Sequence, residues 1–129
     1  MEGTTLLFSN GGASIWFDGA SEVGITFVDG HCKREEFDAL KGAVRCMYEE
    51  TLRAGRTIVL RLDGTALQEG VHVQYVLEWM EMFKVMRPVS EAILERTVVV
   101  LRTGIIATLV RKFLNTYPVA RPIEIQERP

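Results

Sequence analysis

The sequence predicts an α/β fold built on a mixed sheet. Three short strand-like runs, separated by Gly, Asn and Asp turn clusters, open the chain. Two later runs, Arg56–Thr65 (RTIVLRLDGT) and Thr97–Arg102 (TVVVLR), are nearly continuous in apolar residues and alternate with helical patterns. We therefore expect an N-terminal antiparallel meander followed by βαβαβ-type crossovers, with helices packed on the sheet. The length of 129 residues fits one domain over residues 1–129.

The meander is predicted from two turn signals. The first strand runs from Thr4 to Ser9, and Asn10-Gly11-Gly12 follows it as a hairpin turn, because Asn and Gly tolerate positive φ. The returning strand covers Ala13 to Phe17. After the turn cluster Asp18-Gly19-Ala20-Ser21, a third strand covers Val23 to Val28.

A long helix is predicted from Arg34 to Ala54. Its apolar positions keep helical spacing and predict the buried face, which comprises Phe37, Leu40, Val44, Met47, Tyr48, Thr51 and Leu52. Cys46 lies among apolar neighbours and is interpreted as a small core residue. Gly55 ends the helix, since Gly takes the left-handed conformation at little steric cost.

The central strand, Ile58 to Leu62, follows directly. Its apolar run predicts an inner strand of a parallel sheet, covered on both faces. Ligands and partners of open α/β sheets meet the carboxyl ends of such strands, which places Asp63, Gly64 and Thr65 at the position to inspect.

The second half of the chain alternates helix and strand. Pro88 is expected to stop the second helix, and Pro122 together with alternating apolar residues favours an edge position for the last strand. The expected elements are a helix over Val71–Met86, a helical turn over Ser90–Glu95, a strand over Thr97–Arg102, a helix over Gly104–Asn115 and a strand over Pro122–Gln126.

Composition and charge narrow the function classes. The net charge of −2 and the pI near 5.7 provide no basic surface for nucleic acid, so no nucleic-acid partner is expected. Two cysteines cannot define a disulfide framework and predict reduced thiols in a cytosol-like compartment. The N-terminus lacks a signal-peptide pattern, and no apolar run approaches the roughly 18 residues of a membrane span. We expect a cytoplasmic protein without membrane insertion.

Few residues suggest catalysis. His31 and Cys32 are adjacent, so an extended backbone points them apart, and no metal site with His72 is expected. Asp63 with Glu69 or His72 would be the acid-base pair of an enzyme, yet a strand-end Asp is also a common turn residue. No nucleophile elbow, phosphate loop or dinucleotide fingerprint is present. We predict no catalytic residue and no cofactor.

A ligand site is the second hypothesis. Arg61 and Arg102 lie in or end the inner strands, where pairing with Asp18, Asp29 or Asp63 is favoured over anion binding. The amides at the start of the third helix suit an anion. A small lipid-like or anionic ligand would therefore lie near Asp63, Gly64, Thr65, Thr103 and Gly104.

The second helix carries two apolar stripes. The first comprises Val73, Val76, Leu77, Met80 and Phe83. The second lies well over 100° away around the axis and comprises Tyr75, Trp79, Met82 and Met86. One stripe can face the sheet. The other is covered either within the monomer, by residues 88–94 or a neighbouring helix, or by another chain, since such residues are enriched in interfaces.

Four segments of the chain follow a known family pattern: EFDALKGAV, RTIVLRLDGTAL, ERTVVVLRTGIIATLVRKFL and RPIEI. Together they resemble the STAS-like domains, the superfamily of bacterial anti-sigma-factor antagonists. They resemble the CRAL-TRIO lipid-binding domains more distantly. In the antagonists the loop after the central strand carries a phosphorylated Ser beside an Asp. Here residues 63–72 contain no Ser, and Thr65 is the only residue of this loop with a hydroxyl group. The resemblance implies a non-enzymatic interaction or regulatory module. We expect it to bind another protein or itself, as a homodimer, through the Tyr75, Trp79, Met82 and Met86 stripe.

Overall fold

A computed structural model describes residues 4–28, 32–67, 69–117 and 121–129, and the side chains of residues 69–71 are not described. The strands are β1 (Thr5–Ser9), β2 (Ala13–Phe17), β3 (Glu22–Phe27), β4 (Ile58–Asp63), β5 (Leu94–Arg102) and β6 (Ile123–Arg128). The helices are α1 (Arg34–Arg53), α2 (Glu69–Val85), α3 (Arg87–Ile93) and α4 (Ile105–Thr116).

The six strands form one mixed sheet in the order β1-β2-β3-β4-β5-β6. The first three strands pair antiparallel, and β3 to β6 pair parallel. The predicted α/β fold, with an antiparallel meander followed by parallel crossovers, is confirmed. The edge position predicted for the last strand is also confirmed.

The helices lie on one face of this sheet. Because β3, β4, β5 and β6 follow one another across the sheet, right-handed crossovers carry every connecting helix over the same face. One core cluster accordingly joins buried residues of all four helices to alternate strand residues such as Ile25, Leu60 and Val99. The prediction that β4 is covered on both faces by helices is therefore wrong, because sequence periodicity does not reveal strand order.

The opposite face of the sheet, here called the open face, is covered by side chains of the strands themselves and by no described helix. The indole of Trp16 lies over Gly24, leaving no room for a Cβ atom there. Val98 and Val100 are buried on this face although they lie outside the core cluster. Their cross-strand neighbours, Arg61 and Asp63 on one side and Glu124 and Gln126 on the other, flank them in register. Long polar side chains thus cover the apolar strand here.

Helix α1 matches its prediction closely. Phe37, Leu40, Val44, Met47 and Tyr48 are its buried residues, and Gly55 follows it with φ of +66°. The amides of Gly55 and Arg56 donate back to carbonyls of the last turn, at Leu52 and Thr51. Leu52 and Cys46 were also expected to be buried, but both are exposed. They lie beside the apolar stripe of α1 and not on the part of the helix that meets the sheet.

The segment after α2 differs from the prediction. Pro88 occupies the first turn of α3, where a missing amide costs nothing, so the chain turns at Met86 and starts a new helix. This helix runs over Arg87–Ile93 instead of the single turn expected later. Strand β5 then begins at Leu94, three residues before the predicted Thr97. No helix in the described ranges is long and apolar enough to cross a lipid bilayer.

Candidate functional site

The connections β1–β2, β3–α1, β4–α2 and β5–α4 lie together at the carboxyl ends of the parallel strands. The β1–β2 turn is at this edge because β2 runs antiparallel to β3, pairing Ala13 with Phe27. The Glu36 carboxylate accepts the amides of Gly11 and Lys33, each at 2.9 Å. The side-chain amide of Asn10 donates to the Glu36 carbonyl at 2.9 Å. The hairpin turn is thereby fastened to the start of α1.

An apolar cavity of about 90 Å³ starts at this edge and extends between the sheet, α2 and α4. The sheet side of its wall is formed by Phe27, Leu62, Gly64, Thr97, Val99, Leu101 and Ile123. Helix α2 contributes His72, Tyr75, Val76, Trp79, Met80 and Phe83, and α4 contributes Ile106, Val110, Phe113 and Leu114. Phe37 of α1, Gly12, Val28, Cys32 and Leu67 complete the wall.

The wall carries almost no polarity. No described residue that lines it has an acidic, Lys or Arg side chain. Burial, followed by the nearby Glu36 carboxylate, raises the pKa of the Cys32 thiol, which therefore stays neutral at pH 7. His72 is 1% exposed, and its ring centroid lies 6.3 Å from that of Tyr75. The cavity is thus suited to uncharged, apolar chemistry.

Of the predicted ligand residues at the end of β4, Gly64 belongs to the wall. A Cβ at Gly64 would lie 2.8 Å from Cδ2 of Leu101 and 3.0 Å from Cδ1 of Leu67. Asp63 is used locally, since its Oδ1 accepts the amide of Thr65 at 3.0 Å and its hydroxyl at 2.7 Å. Asp63 and Thr65 therefore shape the loop and do not face the cavity.

The predicted ligand residues after β5 lie outside the cavity wall. Thr103 is exposed, and its amide donates to the carbonyl of Arg128 at 2.8 Å. Gly104 precedes α4 with φ of 157°, and its carbonyl accepts the amide and hydroxyl of Thr108. Both residues thus join β5 to α4. The cavity instead receives Ile106 from the first turn of α4.

The acid-base hypothesis is not supported by the geometry. Asp63 follows the alternation of β4 onto the side of Arg61, opposite to Leu60 and Leu62, whereas His72 lines the cavity. The two side chains therefore do not converge. His31 lies outside the described residues, and within those ranges no group of three or more His, Cys, Asp or Glu side chains is arranged to hold a metal.

The two arginines considered for anion binding are far apart. Arg61 pairs in register with Val98, whereas Arg102 pairs with Arg128, four residues further along β5. Four residues of strand separate their backbones by roughly 13 Å. Two candidate partners are engaged elsewhere: Asp63 caps its own loop, and Asp18 accepts amides of the following turn, which lowers its pKa. The third, Asp29, lies outside the described residues.

The stripe predicted as a partner interface is covered within the monomer. Tyr75 stacks on Phe37 with ring centroids 4.4 Å apart, and Trp79 meets Phe27 edge-on at 5.3 Å. Met82 and Met86 are buried in the core cluster. For Tyr75 and Trp79, cover by a neighbouring helix is the arrangement seen, since both rings lie near Phe37 of α1. Leu77, a member of the other apolar stripe, is 42% exposed.

An ionic cluster, unrecognised in the sequence, joins α1 to α2 above these rings. Nη1 and Nη2 of Arg34 each donate to one oxygen of the Glu78 carboxylate at 2.7 Å, and Nζ of Lys41 lies 3.3 Å from the same carboxylate. Hydrogen bonding from Arg34 lowers the pKa of Glu78 to about 2. Arg34 also lies over the Tyr75 ring at 5.1 Å. The spacing of 44 residues between Arg34 and Glu78 provides no local sequence signal for this pair.

The comparisons with known proteins identify no relative. No family model, no curated protein and no solved structure matches this chain. The resemblance to STAS-like domains therefore stays a prediction from the sequence pattern.

Proposed function

We propose that this protein is a non-enzymatic domain that binds a small, uncharged apolar molecule in the cavity between the sheet, α2 and α4. The observation that carries the proposal is a cavity of about 90 Å³ whose described wall has no acidic, Lys or Arg side chain. The cavity starts at the carboxyl ends of β4 and β5, beside Gly64 and Leu101, and continues beneath α2 and α4.

The wall defines the class of ligand. Phe27, Trp79, Phe83 and Phe113 offer aromatic surface for dispersion contacts. A charged ligand would lose its hydration without gaining an ionic partner, which costs several kcal/mol or more. An anion is therefore disfavoured, and of the two ligand types first considered the apolar one remains.

The cavity volume limits the size of the ligand. One water takes about 30 Å³ of liquid volume, and a dry cavity of about 150 Å³ binds benzene. A space of about 90 Å³ holds a xenon atom or a short alkyl group directly. A benzene ring enters once a few wall side chains shift. Met80 is suited to such a shift because its unbranched thioether adapts readily.

Access is expected at the carboxyl edge. Val28 lines the cavity and is also 43% exposed, so the wall reaches the surface beside the hairpin turn. Leu67 lies on the same edge in the loop between β4 and α2. The Arg34–Glu78 contact holds α2 against α1 beside this opening and so keeps the side of the cavity formed by α2 in place.

Thermal unfolding with benzene tests the proposal. At ten times its Kd, a ligand bound only by the folded state stabilises it by about 1.4 kcal/mol. That corresponds to an increase in Tm of roughly 6 °C for a chain of this size. Benzoate, the charged counterpart of similar shape, should have no effect. Equal shifts with benzene and benzoate, or none with benzene, would overturn the proposal.

A cavity-filling variant and a matched control localise the effect. Val110→Phe adds apolar volume within the cavity wall, whereas Val85→Phe makes the same change at a residue that is 68% exposed. We expect Val110→Phe to abolish the benzene shift and to raise the Tm of the free protein, since cavity filling stabilises by about 0.5–2 kcal/mol. Val85→Phe should keep the wild-type response.

A further inference from the structure

The two edges of the sheet differ in their protection. Exposed sheet edges are commonly guarded by charged side chains, because their free backbone groups pair readily with other strands. Edge strand β6 has the sequence IEIQER and carries three charged residues. Edge strand β1 has the sequence TLLFS and carries none, although Leu6 is 62% and Leu7 49% exposed. β1 is thus an apolar edge open to pairing.

A groove of about 530 Å³ lies beside β1 on the helix face. Leu7 and Phe8 form one side, and Ala43, Cys46 and Met47 of α1 form the other. The backbone register shifts between Leu6 and Phe8, so both Leu7 and Phe8 reach the groove. β-Bulges often prevent edge strands from pairing with other chains, but the bulge in β1 turns apolar side chains toward the surface.

The surface above the groove leaves room for a neighbouring molecule. A Cβ built at Gly42 of α1 would meet no atom within 4 Å, and Ala39 and Cys46 beside it are exposed. Small side chains on the outer surface of α1 allow another element to approach its backbone closely. The groove, the open edge and this part of α1 are adjacent and form one continuous surface.

We propose that a second copy of this chain covers this surface, with the two β1 edges antiparallel about a two-fold axis and Leu7 of each copy in the groove of the other. A two-fold contact requires a patch that is complementary to itself. Pairing β1 with itself brings no charges together, whereas β6 carries Glu124, Glu127 and Arg128 along its edge. The exposed leucine and the groove that receives it lie on the same patch, so each copy supplies both.

The same charge pattern favours a second copy over a charged peptide. Glu50 and Arg56 both line the groove, one acidic and one basic, so its polar rim has no net sign. An acidic or basic strand in this groove would be attracted by one of these two side chains and repelled by the other. The uncharged TLLFS strand avoids both and places apolar side chains against apolar walls. This interface is separate from the cavity beneath α2.

Size-exclusion chromatography with light scattering tests the inference on the full chain. We expect the wild type to have twice the 14.5 kDa mass of one chain at micromolar concentration. Leu7→Lys should give the mass of one chain, because dimerisation would move the ammonium group from water into a groove whose walls beside Leu7 are apolar. Val85→Lys introduces the same charge at an exposed residue of α2 and should stay dimeric.

A second edge variant distinguishes pairing from groove filling. Leu6→Lys places a charge on the open-face side of β1, and we expect it also to weaken the dimer at least tenfold in Kd. Circular dichroism and Tm verify that both variants fold, which is expected because Leu6 and Leu7 are exposed. A monomeric wild type at 100 micromolar, or a dimer that both lysine variants leave intact, would overturn the inference.

Discussion

Replacing Trp79 with alanine separates a core role for this side chain from an interface role. Trp79 packs edge-on against Phe27 at 5.3 Å and lies 6.4 Å from Phe37, between α2, α1 and the sheet. Trp→Ala in a protein core costs about 3–5 kcal/mol. Because Trp79 is only partly buried, we expect the lower end, about 3 kcal/mol, and a decrease in Tm of roughly 12 °C.

Urea denaturation followed by circular dichroism measures this loss. Leu77→Ala provides a control on the same helix, since Leu77 is 42% exposed and should cost less than about 1 kcal/mol. The oligomeric state of the Trp79→Ala protein should equal that of the wild type, because the proposed interface lies at β1. A change of less than 1 kcal/mol together with loss of the dimer would refute the packing argument and restore α2 as the interface.

Two further predictions concern the α1–α2 contact and the open face. The pKa of Glu78 is lowered from 4.5 to about 2, so its contact with Arg34 stabilises the folded state fully above pH 4.5 and is lost as the pH falls toward 2. Glu78→Gln should therefore cost up to about 1 kcal/mol at pH 7 and nothing near pH 2, measured by urea denaturation; an equal cost at both pH values contradicts this. Gly24→Ala should displace the Trp16 indole, cost about 1–3 kcal/mol and shift tryptophan fluorescence; unchanged fluorescence would contradict it.

The sheet and its strands were predictable because their signals are local. The Asn10–Gly12 turn, the apolar run of β4 and the Gly55 stop each act within a few residues and lie where predicted. Strand order is a long-range property, and the error about the covering of β4 follows from it. Apolar residues on both sides of β5 indicate burial, but Val98 and Val100 lie between polar side chains of β4 and β6 and not beneath a helix.

The candidate site was located only in part, for a physical reason. The predicted position, the carboxyl ends of the inner strands, is the edge where the cavity starts, and Gly64 belongs to its wall. The chemistry was misjudged at α2, whose apolar residues surround most of the helix. His72 is buried and lines the cavity beside the partly buried Tyr75 and Trp79, and a polar residue at that position interrupts the apolar pattern from which the cavity-facing side of α2 could have been predicted. Contacts across 44 residues, as between Arg34 and Glu78, are invisible to periodicity.

Methyl NMR of the wild type titrated with benzene shows directly whether a ligand binds beneath α2. We expect saturable chemical-shift changes at the methyl groups of Leu62, Val99 and Ile106, which line the cavity, and none at Leu6 or Val85 on the surface. Val110→Phe should remove the shifts while the spectrum stays that of a folded protein. Shifts that do not saturate, or that appear at the surface methyl groups instead, would contradict a ligand site beneath α2.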